Sequence, residues 1–429
     1  MTDVFAYNLS IACNHCVHPK CAGVCPTDAY VVRDDGIVYI NASKCMGCGY
    51  CAWACPYGAP RYNPETGRMT KCNFCYDNID AGVPPSCVAA CPMRVLDIAE
   101  IRDERIESSD GKEERGKIEL WNVPGAEHPF PLPTFSRTQP HLAIKPHAGM
   151  VNKLEKAISN QEEVKPQRHK DTKISWLSDF VVKGFEELPL IIFTLCGQMA
   201  AGMAVISLFS GPLSIPLLAA IGGLIGLGAL ASIFHLGAPL NAWRALSHLR
   251  KSWLSREILM FGLFGASWLV SLAMPGMGKL PLALAGIGLV FSMAQVYRLR
   301  SIPAWCNWRI MAGFFVTACL LGGLLAASFL AADVLRGSPV ASYAALLAQT
   351  GVSLVLLLGI QFWLVTSSGA AVQGTVHRLR LGLIGTGMLG AVTLSIAGDK
   401  AGAWIAFPIF LIIMVEETLG RWLFYRLRQ

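Results

Sequence analysis

The sequence predicts a two-part protein: a small α+β domain built around cysteines, followed by an all-α bundle of eight membrane-crossing helices. Three observations predict it. Twelve of the 15 cysteines fall before residue 92. Beyond about residue 188 the chain is dominated by apolar runs of about twenty residues, the length that crosses a bilayer as a helix. Between these regions lies a polar, proline-rich stretch without helical or strand periodicity. The resulting division is a cysteine domain over 1–100, an extended strap and linker over 101–182 and a bundle over 183–429.

The cysteines form three quartets, each closed by proline: Cys13, Cys16, Cys21 and Cys25 before Pro26; Cys45, Cys48, Cys51 and Cys55 before Pro56; Cys72, Cys75, Cys87 and Cys91 before Pro92. The middle quartet reads CMGCGYCAWACP, the CxxCxxCxxxCP run of ferredoxins. In that run three thiolates hold one 4Fe-4S cubane and the fourth crosses to a neighbouring cluster. The domain is therefore expected to be ferredoxin-like, a carrier of iron-sulfur clusters. Each proline favours a turn that points the fourth thiolate away from its own three neighbours. Zinc is the competing reading, but four-thiolate zinc normally joins two distant CxxC pairs, whereas here the sulfurs crowd together. Disulfides fit poorly with this recurrent spacing and with a reducing compartment.

Residues 100–117 are a mixed-sign charge run, read as a solvated helix or loop. Residues 123–146 carry Pro124, Pro129, Pro131, Pro133, Pro140 and Pro146, which suits an extended strap lying on a folded surface. Residues 153–173 are polar and read as a linker, such as a fusion of two subunits would leave.

Eight apolar runs lie near 188–209, 215–236, 258–274, 280–297, 310–332, 343–366, 379–397 and 401–419. The first ten residues lack a basic segment followed by an apolar core, so the first run is expected to be an anchor and not a cleaved leader. Arginines and lysines gather on one side of the predicted crossings, among them Arg244, Arg250, Lys251, Arg256, Arg298, Arg309, Arg378 and Arg428; the opposite loops offer Lys279, Arg336 and Lys400. The positive-inside rule then puts the cysteine domain on the cytoplasmic face of the inner membrane. The formal charge of +7 belongs to this membrane edge. No basic run interleaved with aromatics suggests a nucleic-acid partner.

Cluster-borne electrons must enter or leave at the bundle. Facing pairs of histidines that would ligate haem are missing from the runs, since His248 and His377 fall in loops. A quinol site is the natural alternative. His235 at the end of the second run and Glu257 at the start of the third are its candidate proton acceptors, both on the cysteine-domain side. The bland reading is that His235 is an interfacial helix-end residue and that Glu257 pairs with Arg256 or a loop base. Cys196, Cys306 and Cys319 read as small packing residues. The glycines at 222–228 read as helix-packing positions, not a nucleotide-binding loop.

The segments FAYNLSIACNHC, KCMGCGYCAWACPYGAP and MTKCNFCYDNIDAGVPPSCVAACPMRVLD resemble the iron-sulfur subunit of bacterial dimethyl sulfoxide reductase. ELPLIIFTLCGQMAAG, ASIFHLGAPLNAWRAL, WLSREI, IPAWCNWRIMAGFF and EETLGRWLFYRL resemble its eight-span membrane anchor. Cys48 stands where the related nitrate reductase type has tryptophan. The resemblance implies a complex in which the anchor oxidises menaquinol, clusters relay electrons, and a separate molybdopterin subunit reduces the substrate. It also implies ligand sets: Cys13, Cys16, Cys21 and Cys55 for one cubane, and Cys45, Cys48, Cys51 and Cys25 for another. Its quinol-site residues match His235 and Glu257. Glu417 and Arg421 match only the tail motif and are expected to be a structural i,i+4 pair.

Family members carry a fourth quartet upstream, so a first quartet preceding Met1 is expected. Without it, Cys72, Cys75, Cys87 and Cys91 hold an incomplete or self-contained third cluster. A sulfite-oxidising relative running electrons toward quinone is the alternative direction, and a zinc-structured membrane interaction protein is the non-enzyme alternative.

Overall fold

The computed structural model describes residues 12–92, Leu96, Thr138, 176–209, 214–274, 277–299, 301–302, 305–335, 343–366, 375–396 and 399–426. The charge run at 100–117, the linker at 153–173 and the strap at 123–146, apart from Thr138, lie outside the described residues. Two compact units emerge. One takes in 1–23, 28–45 and 49–172, and the other gathers Val24–Thr27 and Met46–Cys48 with 173–429.

The first unit is built from two antiparallel hairpins and short helices. Strands β1 (Tyr30–Val32) and β2 (Val38–Ile40) pair Tyr30 with Ile40 and Val32 with Val38. Their turn closes because Asp35 Oδ1 accepts the Ile37 amide at 3.1 Å and Gly36 takes φ 84°. Strands β3 (Arg61–Asn63) and β4 (Arg68–Thr70) pair Arg61 with Thr70, and Asn63 Oδ1 accepts the Glu65 amide at 2.9 Å. Short helices α1 (Lys20–Val24), α2 (Tyr50–Ala54), α3 (Tyr76–Asp80) and α4 (Ser86–Ala89) each carry or adjoin cysteines. Among the described residues its buried core includes Ala29, Tyr30, Ile37, Val38, Tyr50, Ala54 and Met69, with Cys21, Cys45 and Cys51 among them.

The second unit contains, among the described residues, eight helices of 18 residues or more: α5 (Trp176–Ile206), α6 (Ile215–His235), α7 (Trp253–Ala273), α8 (Lys279–Val296), α9 (Trp308–Leu335), α10 (Tyr343–Thr366), α11 (Thr375–Ile396) and α12 (Asp399–Arg426). Five stretches are long and apolar enough to cross a membrane: Leu188–Ile206, Ile215–His235, Trp253–Ala273, Lys279–Val296 and Trp308–Phe329. The third helix begins five residues earlier than its apolar run, because Ser252 caps it, accepting the Ser255 amide at 3.5 Å. Such a cap contributes about 1 kcal/mol. Ser214 caps α6 in the same way.

Between apolar helices in lipid, close approach replaces the hydrophobic effect as the source of packing energy. Helices α5 and α9 meet at Gly202 and Gly322, where a Cβ on Gly322 would stand 2.6 Å from the Gly202 Cα. In the run at 222–228, Gly222 lies against the Trp268 ring, but Gly223 and Gly226 face open space. The packing role read for that run thus holds at Gly222 and at Gly228, which lies against Cys196 and Phe193, while the closest backbone approach lies elsewhere. Outward-facing Leu230, Phe234, Leu269, Leu284, Leu356 and Leu389 suit contact with lipid.

Candidate functional site

The first CxxC pair of each quartet shares one backbone device. The residue before the second cysteine lies in the left-handed region in each: His15 at φ 41°, Gly47 at φ 72° and Phe74 at φ 62°. Reversing the backbone between two cysteines turns both thiols toward one point, and non-glycine residues pay about 1–2 kcal/mol for it. Two such residues meet: the His15 and Phe74 rings pack edge to face at 5.1 Å. His15 Nδ1 also accepts the Val38 amide at 3.0 Å, which seats the first pair against β2.

The first candidate cluster site is a pocket. Cys13, Cys16, Cys21 and Cys55 line a space that opens to solvent, together with Tyr57, Lys71 and Thr138. These four are the set that the resemblance implied for one cubane. Burial pushes the Cys16 thiol up to about 11, with Cys13 and Cys55 adding repulsion. Cys21 and Cys55 are raised as well, again chiefly by burial. Four such thiolates coexist only around a compensating cation, so the donor chemistry fits a metal cluster.

Two residues that sequence reasoning missed complete this site. Thr138, from the strap, is buried; its hydroxyl lies 2.7 Å from the Tyr57 hydroxyl and its carbonyl accepts the His18 amide at 3.0 Å. Lys71 Nζ donates to Cys13 Sγ at 3.3 Å.

At the middle quartet, Cys45 Sγ accepts the Met69 amide at 3.5 Å, and Cys45 and Cys51 are buried. Cys25, in the second unit, lies 3.6 Å from the Thr27 hydroxyl. Its carbonyl meets His248 Nδ1 at 2.8 Å, and Ser252 Oγ donates to the Val24 carbonyl at 2.8 Å. His248, read from sequence only as a loop histidine unsuited to haem, thus steadies the backbone of a candidate ligand. In the last quartet, Cys72 accepts the Phe74 amide at 3.4 Å and Cys75 lies 3.7 Å from the Ser86 hydroxyl, while Cys87 is exposed.

His235 is the last residue of α6 and Glu257 the fifth of α7, so an α6 end and an α7 start bring both to one end of the bundle. The 3₁₀ segment Pro239–Leu246 lies between them. Glu257 is 3% exposed and lies within electrostatic reach of Tyr297. Arg256 is engaged elsewhere: Nε donates to the Leu249 carbonyl at 2.9 Å and the guanidinium lies over the Trp253 ring at 4.2 Å. The pairing of Glu257 with Arg256 considered from sequence is therefore replaced by burial.

Glu417 and Arg421 are buried, and each ties α12 to other helices. Glu417 accepts from Thr317 Oγ1 at 3.0 Å and Gln361 Nε2 at 3.1 Å. Arg421 donates to Gln198 Oε1 at 2.8 Å. Next to them, Arg380 pairs with Glu416 at 2.7 Å and the Tyr297 and Tyr425 hydroxyls lie 2.7 Å apart. A helix-end brace was expected; a polar network inside the bundle is found. Gln198, Thr317 and Gln361 stand as single polar residues in apolar runs, the signal that could have found them.

Comparison with known proteins gives a match to each half of the sequence. Residues 4–101 match the family model described as 4Fe-4S dicluster domain, and residues 181–427 match that of the DMSO reductase anchor subunit (DmsC). The protein is 45% identical over 146 residues to one of the polypeptides of anaerobic dimethyl sulfoxide reductase from Escherichia coli K12, covering 34% of this sequence and 64% of that one. The counterpart from Haemophilus influenzae is 43% identical over 146 residues, covering 34% and 63%. A sulfite dehydrogenase subunit of Allochromatium vinosum is 41% identical over 130 residues, covering 28% and 54%. The chain thus spans less than two thirds of the length of these relatives. Because the anchor model covers more than half of the sequence and the iron-sulfur domain precedes it, the protein belongs to the DMSO reductase anchor subunit family, as a fusion of an iron-sulfur domain with a membrane anchor.

Proposed function

We propose that this chain is the electron-transfer and membrane-anchor part of a molybdoenzyme complex, an oxidoreductase subunit that oxidises menaquinol and passes electrons to a separate molybdopterin-bearing subunit reducing dimethyl sulfoxide or a similar acceptor. The observation that carries this reading is the presence on one polypeptide of an iron-sulfur dicluster domain and an anchor-family bundle. When bound, 4Fe-4S clusters supply one-electron carriers. Cys13, Cys16, Cys21 and Cys55 would hold one, Cys45, Cys48, Cys51 and Cys25 a second, and Cys72, Cys75, Cys87 and Cys91 an incomplete or third.

Menaquinol gives up two electrons and two protons, so its oxidation needs proton acceptors beside the ring. His235 and Glu257 take that role in this reading. Support comes from the cost of burying Glu257 in an apolar helix, which function explains better than packing does. Exposed Phe234, Leu240 and Trp243 near His235 would offer an apolar lip to a lipid-soluble ring. All eight long helices would cross the inner membrane, with the cysteine domain on the cytoplasmic face.

Membranes containing the protein should show cubane EPR signals that a reduced menaquinol analogue elicits and that His235→Ala abolishes. Quinol-dependent reduction persisting in that variant removes His235 from the mechanism. Colourless protein holding zinc would sink the whole reading. The similarity to a sulfite dehydrogenase subunit favours testing the reverse direction too: with the catalytic partner present, cluster reduction by sulfite would establish flow toward quinone.

A further inference from the structure

Lys71 follows β4 directly and precedes Cys72, the first cysteine of the last quartet. Its ammonium is held at three points. It donates to Cys13 Sγ at 3.3 Å, to the Cys72 carbonyl at 3.0 Å and to the Val38 carbonyl. Those bonds use all three of its donors, so the charge is fixed and does not sweep through solvent. The side chain also lines the cavity bounded by Cys13, Cys16, Cys21 and Cys55, within electrostatic reach of Cys21.

Neutral donors also reach candidate ligand sulfurs: Cys45 receives the Met69 amide, Cys25 lies beside the Thr27 hydroxyl, and Cys72 receives the Phe74 amide. At Cys13 the donor carries a full positive charge. A cluster gains one negative charge on reduction, and a nearby cation stabilises the reduced form more than the oxidised one. Net charge and hydrogen bonds to sulfur are the established controls on cluster potential.

We propose that Lys71 is the potential-setting residue of the cluster held by Cys13, Cys16, Cys21 and Cys55, raising its midpoint potential. This rests on the functional reading above, since it needs a cubane at that site. The competing role is mechanical: Lys71 could simply brace β2 against the last quartet, and loss of the brace would impair folding without selectively moving a potential.

Redox titration followed by EPR on membranes containing the full-length protein separates the two. Four substitutions are compared with the wild type. Lys71→Met removes the charge and the donors, Lys71→Gln keeps amide donors without charge, Lys71→Arg keeps the charge, and Arg61→Met removes an exposed charge from β3. The expected result is that one cubane signal shifts to lower potential in Lys71→Met and Lys71→Gln and returns to its wild-type value in Lys71→Arg. The other signal stays in place, and Arg61→Met moves neither. Cys16→Ser should perturb the same signal that Lys71→Gln shifts. Unmoved midpoints in loaded Lys71→Met and Lys71→Gln, an equal shift of both signals, or a Cys16→Ser effect on the other signal would each overturn the inference. So would loss of clusters from all three Lys71 variants, which would show a brace. A wild type without cubane signals would instead refute the functional reading on which the inference stands.

Discussion

Arg421 on the last helix donates to Gln198 on the first at 2.8 Å, and both side chains are buried within the bundle. The same guanidinium stacks over Phe314 at 3.7 Å, and Gln198 Nε2 donates to the Phe314 carbonyl at 2.9 Å. Three helices, α5, α9 and α12, are locked by one polar node. Gln198→Leu leaves a buried guanidinium without its acceptor, at a cost of about 1–3 kcal/mol. Arg421→Leu should cost more, because it also strips Glu417 of a neighbouring positive charge. The double variant should be less destabilised than the sum of the singles. Thermal unfolding of the detergent-solubilised protein measures all three, and strict additivity would refute a shared node.

The contact of α5 with α9 makes a second prediction. Gly322→Ala should destabilise by about 1–3 kcal/mol, since the added methyl meets backbone and cannot be accommodated by a side-chain rotation. Gly223→Ala should be neutral or slightly stabilising, because nothing lies within 4 Å of its added methyl. Equal effects of the two would contradict this packing.

How much was legible beforehand follows from what each signal measures. Cysteine spacing is a local and specific signal, so the iron-sulfur domain could be read from it. Length and apolarity encode helices equally well, and the run at 343–366 coincides with α10. Helix starts were less legible, since a cap such as Ser252 is polar and interrupts the apolar signal that delimits a run. Side-chain partners across helices were not legible at all. Nothing local to Glu417 announces Thr317 and Gln361, which lie 100 and 56 residues away. Lys71 was hidden for the same reason: its acceptor Cys13 is 58 residues distant.

Glu257 is expected to serve as a proton acceptor, so Glu257→Gln, which keeps shape and removes basicity, should slow quinol-driven cluster reduction by about 10²- to 10⁴-fold. Dithionite, which needs no proton acceptor in the bundle, should reduce the clusters of that variant normally. Rapid-mixing EPR distinguishes the two donors; slow reduction by both would point to damaged clusters.

Arg33 grips Asp80 through two bonds, 2.9 and 2.6 Å, joining the β1–β2 hairpin to α3. The guanidinium holds the Asp80 carboxyl below the ordinary aspartate range. A depressed carboxyl contributes stability above its unfolded value, near 4, and loses it as the pH falls through the folded one. The melting temperature of wild type should therefore exceed that of Asp80→Asn at neutral pH, and the gap should close below about pH 4. The pair is exposed, so the gap should also shrink in high salt. A gap that grows on acidification would reverse the sign and exclude the mechanism.

The left-handed turn shared by the first CxxC pair of each quartet can be tested where glycine and non-glycine residues occupy the same position. Gly47 at φ 72° admits asparagine with little strain, whereas a β-branched residue is a poor occupant of this region. Gly47→Val should therefore lower iron content per polypeptide, and Gly47→Asn should keep it near wild type. Phe74→Gly makes the reverse trade: it relieves about 1–2 kcal/mol of backbone strain and gives up the ring contact with His15, worth about 0.5–1.5 kcal/mol. The two terms nearly cancel, so stability and iron content should barely change. Retained iron in Gly47→Val would show that the turn is incidental to ligation. A large loss in Phe74→Gly would show that the His15 contact, more than the turn itself, holds the first and last quartets in place.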